Sequence, residues 1–211
     1  MILEAKNLSF RYEESGRKIL DQFSLQVDSS ERVGILAPSG FGKTTLCKIL
    51  AGYEEPETGT VLMDGKSLYS YKAYCPVQMI WQHPEQAVNP RLRMRNVFEE
   101  GDQVETELIK KLGIEPDWMN RFPTELSGGE LQRFCIARAL ALNPEFVVCD
   151  EPVSALDVSV QAQIINLLKE LQEKRNLTYL FISHDLSVVE HISDTIGVMY
   201  LGGLVETGTT A

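Results

Sequence analysis

The sequence lacks any apolar run near the roughly 18 residues of a membrane-spanning helix, so the chain is not expected to cross a bilayer by itself. Its opening residues, Met1-Ile2-Leu3-Glu4-Ala5-Lys6, carry no signal-peptide pattern, and secretion is not expected. Cysteine is scarce and scattered. Cys47, Cys75, Cys135 and Cys149 form no CxxC pair and no Cys/His cluster, which argues against a zinc site and for a reduced, cytosolic compartment. Cys47 and Cys149 lie in apolar segments and read as small core residues. Positive charge is also short: 20 Lys+Arg stand against 30 Asp+Glu, a formal net charge of −10. A binder of nucleic-acid backbone, or a protein held on anionic lipid by charge, needs the opposite sign. Nucleic acid is therefore not an expected partner, and any membrane link should run through a protein. Repeats, low-complexity tracts and Pro/Ser-rich linkers are missing too.

What is there suits one soluble domain. The 211 residues are 44% hydrophobic and 24% charged, long enough to bury a core without disulfides or metals. Residues 2–10 and 23–27 read as strands. Residues 32–37 form a short apolar run before a Pro/Gly-rich turn, and residues 43–50 read as a helix. Residues 60–63 and 77–81 are further strand candidates. From about 85 to 130 charges, turn residues and short helical patterns replace apolar runs, which suggests an inserted, mostly helical lobe. A helix follows over about 129–142, a buried strand over 146–149, and a helix over 159–173 with Ile164, Leu167, Leu168 and Leu171 on one stripe. Residues 179–182 read as another buried strand, and 195–200 and 204–206 as a hairpin around Gly202-Gly203. Apolar strands alternating with helices imply an α/β fold, a mostly parallel sheet with helices on both faces.

The chemistry begins after the apolar run. Ala37-Pro38-Ser39-Gly40-Phe41-Gly42-Lys43-Thr44-Thr45 joins a strand to a helix. Such a loop turns successive backbone N–H groups inward around phosphate oxygens, and the helix N-terminus adds partial positive charge. Gly40 and Gly42 permit close approach and positive φ. Lys43 can reach the β- and γ-phosphates and the Thr44 hydroxyl can ligate Mg²⁺. The usual motif opens with Gly. Here that place is Ala37, for which a positive φ would cost about 1 kcal/mol or more. The alternative is a Gly-rich turn with a stray lysine.

Phe146-Val147-Val148-Cys149-Asp150-Glu151 is an apolar strand ending in two acids. At the carboxyl end of a buried parallel strand, acids face the ligand crevice. Asp150 suits Mg²⁺, through water, and Glu151 is placed to orient or deprotonate an attacking water. Two acids after a strand can otherwise be a solvated loop. A second anion-binding device is Leu126-Ser127-Gly128-Gly129-Glu130, at the start of another strong helix.

With Tyr12, Gln82, Ser154-Ala155-Leu156-Asp157 and His184, these segments occur in the order found in the nucleotide-binding subunits of ABC transporters, which the whole chain resembles. The resemblance implies the P-loop ABC ATPase fold: a mostly parallel sheet, an antiparallel β lobe and an inserted helical lobe. It implies ATP and Mg²⁺ as ligands and a head-to-tail pair of subunits. ATP on residues 37–45 of one subunit is capped by the partner's signature segment. Tyr12 would stack on adenine; Ser39, Gly40, Phe41, Gly42, Lys43, Thr44 and Thr45 would cradle phosphate. Gln82 would contact Mg²⁺ and water and link the site to the inserted lobe. Glu151 would be the general base, and His184 would contact the γ-phosphate. Ser127, Gly128 and Gly129 would meet the partner's nucleotide, and Asp157 would lie in the subunit contact. Plainer alternatives stay open: Tyr12 as a surface aromatic, Gln82 as a loop polar group, His184 or Asp157 as helix caps. His83 and His191 read as surface residues. Arg91, Arg93 and Arg95 read as a solvated face or a contact for a membrane subunit. Met63, Met79, Met94 and Trp81 read as packing.

Trp81-Gln82-His83-Pro84 through Val88-Asn89-Pro90-Arg91, with residues 184–194 and 204–208, resembles the peptide and nickel importer subgroup. That resemblance implies integral membrane permease subunits, an external solute-binding protein and a place on the inner face of the cell membrane. The segment between Gln82 and Ser127 is short for the subgroup, and relatives usually run on for tens of residues past the last motif. Competing expectations are a non-transport ABC ATPase of DNA repair or translation, and a binding-only regulatory subunit.

Overall fold

The computed structural model describes residues 2–13, 16–72, 75–99, 104–154 and 156–210. Ala155, one of the motif residues above, lies outside them. The chain begins with strands β1 (Leu3–Phe10) and β2 (Leu20–Val27), which pair antiparallel, followed by β3 (Arg32–Leu36) and helix α1 (Lys43–Leu50). Strands β4 (Thr58–Met63), β5 (Lys66–Ser67) and β6 (Val77–Ile80) come next. Helices α2 (Met94–Glu99) and α3 (Thr106–Lys111), with short 3-10 turns, occupy the segment before the long α4 (Gly128–Ala141). Then follow β7 (Phe146–Asp150), α5 (Val158–Arg175), β8 (Thr178–Ser183), α6 (Leu186–Ile192), β9 (Thr195–Tyr200) and β10 (Gly203–Thr209).

The strands form two sheets. One is antiparallel in the order β2-β1-β4-β5; the other runs β10-β9-β3-β8-β7-β6, parallel except for the β9–β10 hairpin. β7 and β8 are buried at every position, as a parallel strand between two helical layers must be. Their apolar side chains divide between two cores. Phe146, Val148, Leu180 and Ile182 pack with β1, β2 and α1, while Val147, Cys149, Tyr179 and Phe181 pack with α4 and α5. The alternation of successive side chains across the sheet makes this division.

Differences from the sequence reading are local. β2 starts at Leu20 rather than 23 and β4 at Thr58 rather than 60. β10 runs to Thr209, and the hairpin turn is Leu201-Gly202, with Gly203 inside β10. α6 and the two-residue β5 have no counterpart in the sequence reading. The stripe on α5 is buried as expected, as are Met63, Met79, Met94, Cys47 and Cys149; His83 and His191 are exposed. Among the described residues no helix is long and apolar enough to cross a membrane.

Candidate active site

β3 delivers the chain to the phosphate loop. Ala37 closes that strand: its N–H donates to the Ser183 carbonyl at 3.1 Å, it is buried, and its φ is not positive. The strain that alanine would feel in a left-handed conformation therefore does not arise. Gly40 and Gly42 do turn left-handed, with φ of 81° and 93°. Gly42 is also sterically required, because a Cβ there would lie 3.0 Å from the carbonyl oxygen and Cγ2 of Ile19. It is the N-cap of α1 and offers no side-chain cap, so the first N–H groups of this helix are left for a ligand.

Glu151 is the hub. It follows β7 with a left-handed φ of 45°, a conformation costing a non-glycine residue about 1 kcal/mol or more. Its N–H donates to the Ile182 carbonyl at 2.9 Å, and its carbonyl accepts from the Ser154 N–H and hydroxyl at 3.2 and 3.1 Å. So held, the buried carboxylate receives three side chains. Lys43 Nζ lies 2.9 Å from Oε1 and also donates to the Ala37 carbonyl at 3.0 Å. His184 Nδ1 lies 2.9 Å from Oε2, and Gln82 Nε2 donates to the same oxygen at 3.2 Å. A carboxylate only accepts, so the proton belongs on His184 Nδ1, which leaves Nε2 for a ligand.

Asp150, one residue earlier, is buried, and its Oδ1 has no hydrogen-bond partner. Burial pushes its carboxyl above the usual range; the Thr44 hydroxyl opposes this, the Glu151 charge adds to it, and Lys43 opposes it. An oxygen that is buried and unsatisfied beside a threonine hydroxyl fits a hard divalent cation, which takes oxygen ligands and carries the charge that desolvates least well alone.

Tyr12 is 57% exposed, its ring set edge-on to Phe10 at 5.0 Å and its hydroxyl 3.3 Å from Thr45 Oγ1. An exposed ring tethered to the loop offers a face for a flat ligand. Phe41 stacks on Tyr200 at 5.2 Å between centroids. The sequence reading has Tyr200 only as the end of a strand, and no local signal marks its contact with Phe41, since that partner lies far along the chain.

The signature segment stands in a separate cleft. Ser127 caps α4: its Oγ accepts from the Glu130 N–H at 3.3 Å, and Glu130 Oε2 accepts from the Ser127 N–H at 2.7 Å. As an acceptor in this box, the Ser127 hydroxyl keeps its own proton to donate elsewhere. Ser127, Gly128, Gly129, Ser154 and Asp157 line a cleft of about 590 Å³ whose lining includes none of Gln82, Lys43, Thr44, Asp150, Glu151 and His184; Ser154, through its bonds to the Glu151 carbonyl, touches both places. Asp157 occupies the N-cap position of α5 but makes no side-chain cap hydrogen bond. The structure thus gathers Gln82, Lys43, Thr44, Asp150, Glu151 and His184 in one place and Ser127, Gly129 and Asp157 in another.

Residues 20–154 match the family described as ABC transporter. The dipeptide transport ATP-binding protein DppF of Lactococcus lactis subsp. cremoris (strain MG1363) is 41% identical, over 99% of this chain and 75% of that protein. The oligopeptide transport ATP-binding protein OppF of Bacillus subtilis (strain 168) is also 41% identical, over 97% of this chain and 74% of that one. Among solved structures, the ATP-binding cassette MJ0796, in a dimeric post-hydrolysis state bound to ADP and Pi, superposes with a TM-score of 0.86 at 25% identity, covering 100% and 99% of the two chains. A P-loop sheet carrying these motifs, matched in sequence and in fold, places the chain in the ABC transporter family as one of its ATP-binding subunits.

Proposed function

We propose that this chain binds and hydrolyses MgATP as one of two cassettes driving a peptide importer, peripheral on the cytoplasmic face of the membrane beneath its permease subunits. It acts as a single nucleotide-binding domain whose inserted helical lobe spans about residues 85–130. The observation that carries the hydrolytic part is the convergence of Lys43, His184 and Gln82 on the buried Glu151 carboxylate. The peptide cargo is supported by what the names of DppF and OppF say of those proteins.

The geometry supports a role for each residue. Lys43 lies 2.9 Å from the Glu151 carboxylate, and the triphosphate of a nucleotide offers it stronger negative charge. Lys43 exchanges partners, and Oε1 of Glu151 is released to accept a proton from water. Gln82 and His184 hold Oε2, so the carboxylate turns about a fixed end rather than swinging free. Asp150 and Thr44 would hold Mg²⁺, which neutralises phosphate charge when bound. Tyr12 gives the adenine a stacking face, while Ser39, Gly40, Phe41, Gly42 and Thr45 shape the phosphate cradle. Ser127, Gly128 and Gly129 offer a hydroxyl proton and backbone N–H groups to the nucleotide of a second subunit, identical or homologous.

The test is steady-state ATPase activity of wild type and Glu151→Gln. The variant should lose at least about 100-fold in kcat, the usual worth of a general base. Equal rates would remove Glu151 from its role. Peptide-stimulated turnover in vesicles, with the permeases and the external solute-binding protein supplied, tests the cargo; stimulation by a nickel complex instead would overturn it.

A further inference from the structure

Gln82 sits in a loop, and loops position side chains poorly unless something holds them. Here both sides of Gln82 are held by one helix. Gln132 of α4 is buried, and its Nε2 donates to the Trp81 carbonyl at 3.1 Å. One turn on, Cys135 Sγ lies 3.5 Å from the Pro84 carbonyl. The Pro84–Gln86 turn packs against α4 as well. The Trp81 ring is fixed from the other side, edge-on to Tyr53 at 5.2 Å with Lys48 Nζ 5.9 Å above it. The Trp81 carbonyl satisfies the buried Gln132 amide, so removing that donor leaves the carbonyl of the loop that bears Gln82 without it.

The helix concerned is the one capped by Ser127. The contacts therefore form an unbroken run: Glu151 Oε2 to Gln82, Trp81 carbonyl to Gln132, and along α4 to Ser127. We propose that Gln132 is a positioning residue that fixes Gln82 against Glu151 and ties that placement to the helix presenting Ser127. This rests on the hydrolytic reading above.

The test is a double-mutant cycle on the purified chain, reading kcat, KM for ATP and the Kd for ADP. Gln132→Met keeps the side chain's length and removes the donor. It should lower kcat about tenfold, as expected for losing one buried hydrogen bond that supports a reacting group, with KM and ADP affinity within about twofold of wild type. In a Gln82→Ala background the same substitution should change kcat by less than about twofold, because its effect passes through Gln82. Equal factors in both backgrounds would assign Gln132 a merely structural part and overturn the proposal, as would a wild-type kcat. Should Gln132→Met not fold, Gln132→Leu, which also removes the donor without adding charge, carries the same cycle with the same two outcomes. Glu151→Gln, run alongside, separates the causes: if it hydrolyses like wild type, the hydrolytic reading has failed, whatever Gln132 does.

Discussion

Lys43 and Glu151 neutralise each other in a buried place, so removing either leaves the other charge uncompensated. Lys43→Ala should weaken nucleotide binding by about 10- to 100-fold, the worth of a charge-assisted phosphate contact, as read by calorimetric titration with ADP. Glu151→Gln should act the other way on ADP, tightening it, because the ammonium no longer has a competing carboxylate. Unchanged ADP affinity would mean that the ion pair does not oppose the ligand. Asp150 carries a different cost. Its carboxyl is pushed up by burial, so the folded state is penalised once pH rises above the ordinary carboxylate range and the group must ionise. Asp150→Asn should therefore raise thermal stability at neutral pH, by on the order of 1 kcal/mol, and lose the extra stabilisation that MgATP gives over ATP with chelator. A lower melting temperature for the variant would contradict this reading.

At the scale of elements, the α4 capping box separates two uses of one serine. Ser127→Ala should cost about 1 kcal/mol of stability as a lost N-cap. It should also abolish ATP-driven association, with ADP affinity at the phosphate loop unchanged. Arg32 at the start of β3 grips Asp194 before β9 through Nε and Nη2, at 3.1 and 2.6 Å, and holds that carboxyl below the usual range. A depressed carboxyl contributes its stability above the unfolded value and loses it as pH falls through the folded one. Asp194→Asn should thus destabilise at neutral pH, by less than about 1 kcal/mol for so exposed a pair, and the difference should vanish in acid melts. The elements legible in the sequence were those with an unbroken physical signal. β7 and β8 are continuous apolar runs, and α5 has its stripe. The start of β2 was hidden because Asp21 and Gln22 face solvent and Gln22 adopts φ of 51°. α6, at seven residues, is too short for a period. The motifs located the phosphate loop, the acids, Gln82 and His184, because each is local. Tyr200 and Gln132 meet Phe41 and Trp81 far away in sequence, so nothing near them announces those contacts.

For the whole molecule, the Ser127 cleft is lined by none of the side chains that gather on Glu151, and the proposed function has a second copy or homologue bring such a cleft over the phosphate loop. ATP that bridges both contributes its binding free energy to association. Glu151→Gln should sediment as a dimer with MgATP and as a monomer without it. Identical profiles would count against a shared pocket.

The order β3-β8-β7 has a further consequence. The loop leaves one strand and the acids leave another, with β8 between them, so the two begin about two interstrand spacings apart, near 9.6 Å. Hydrogen bonding sets that gap at the strand ends, and the loop and α1 carry Lys43 and Thr44 back across it to Glu151 and Asp150. Across it the Lys43 ammonium and the Glu151 carboxylate end 2.9 Å apart. Shortening the acid by a single methylene, as in Glu151→Asp, keeps the charge yet leaves it out of reach, and should disable the enzyme nearly as thoroughly as removing the charge.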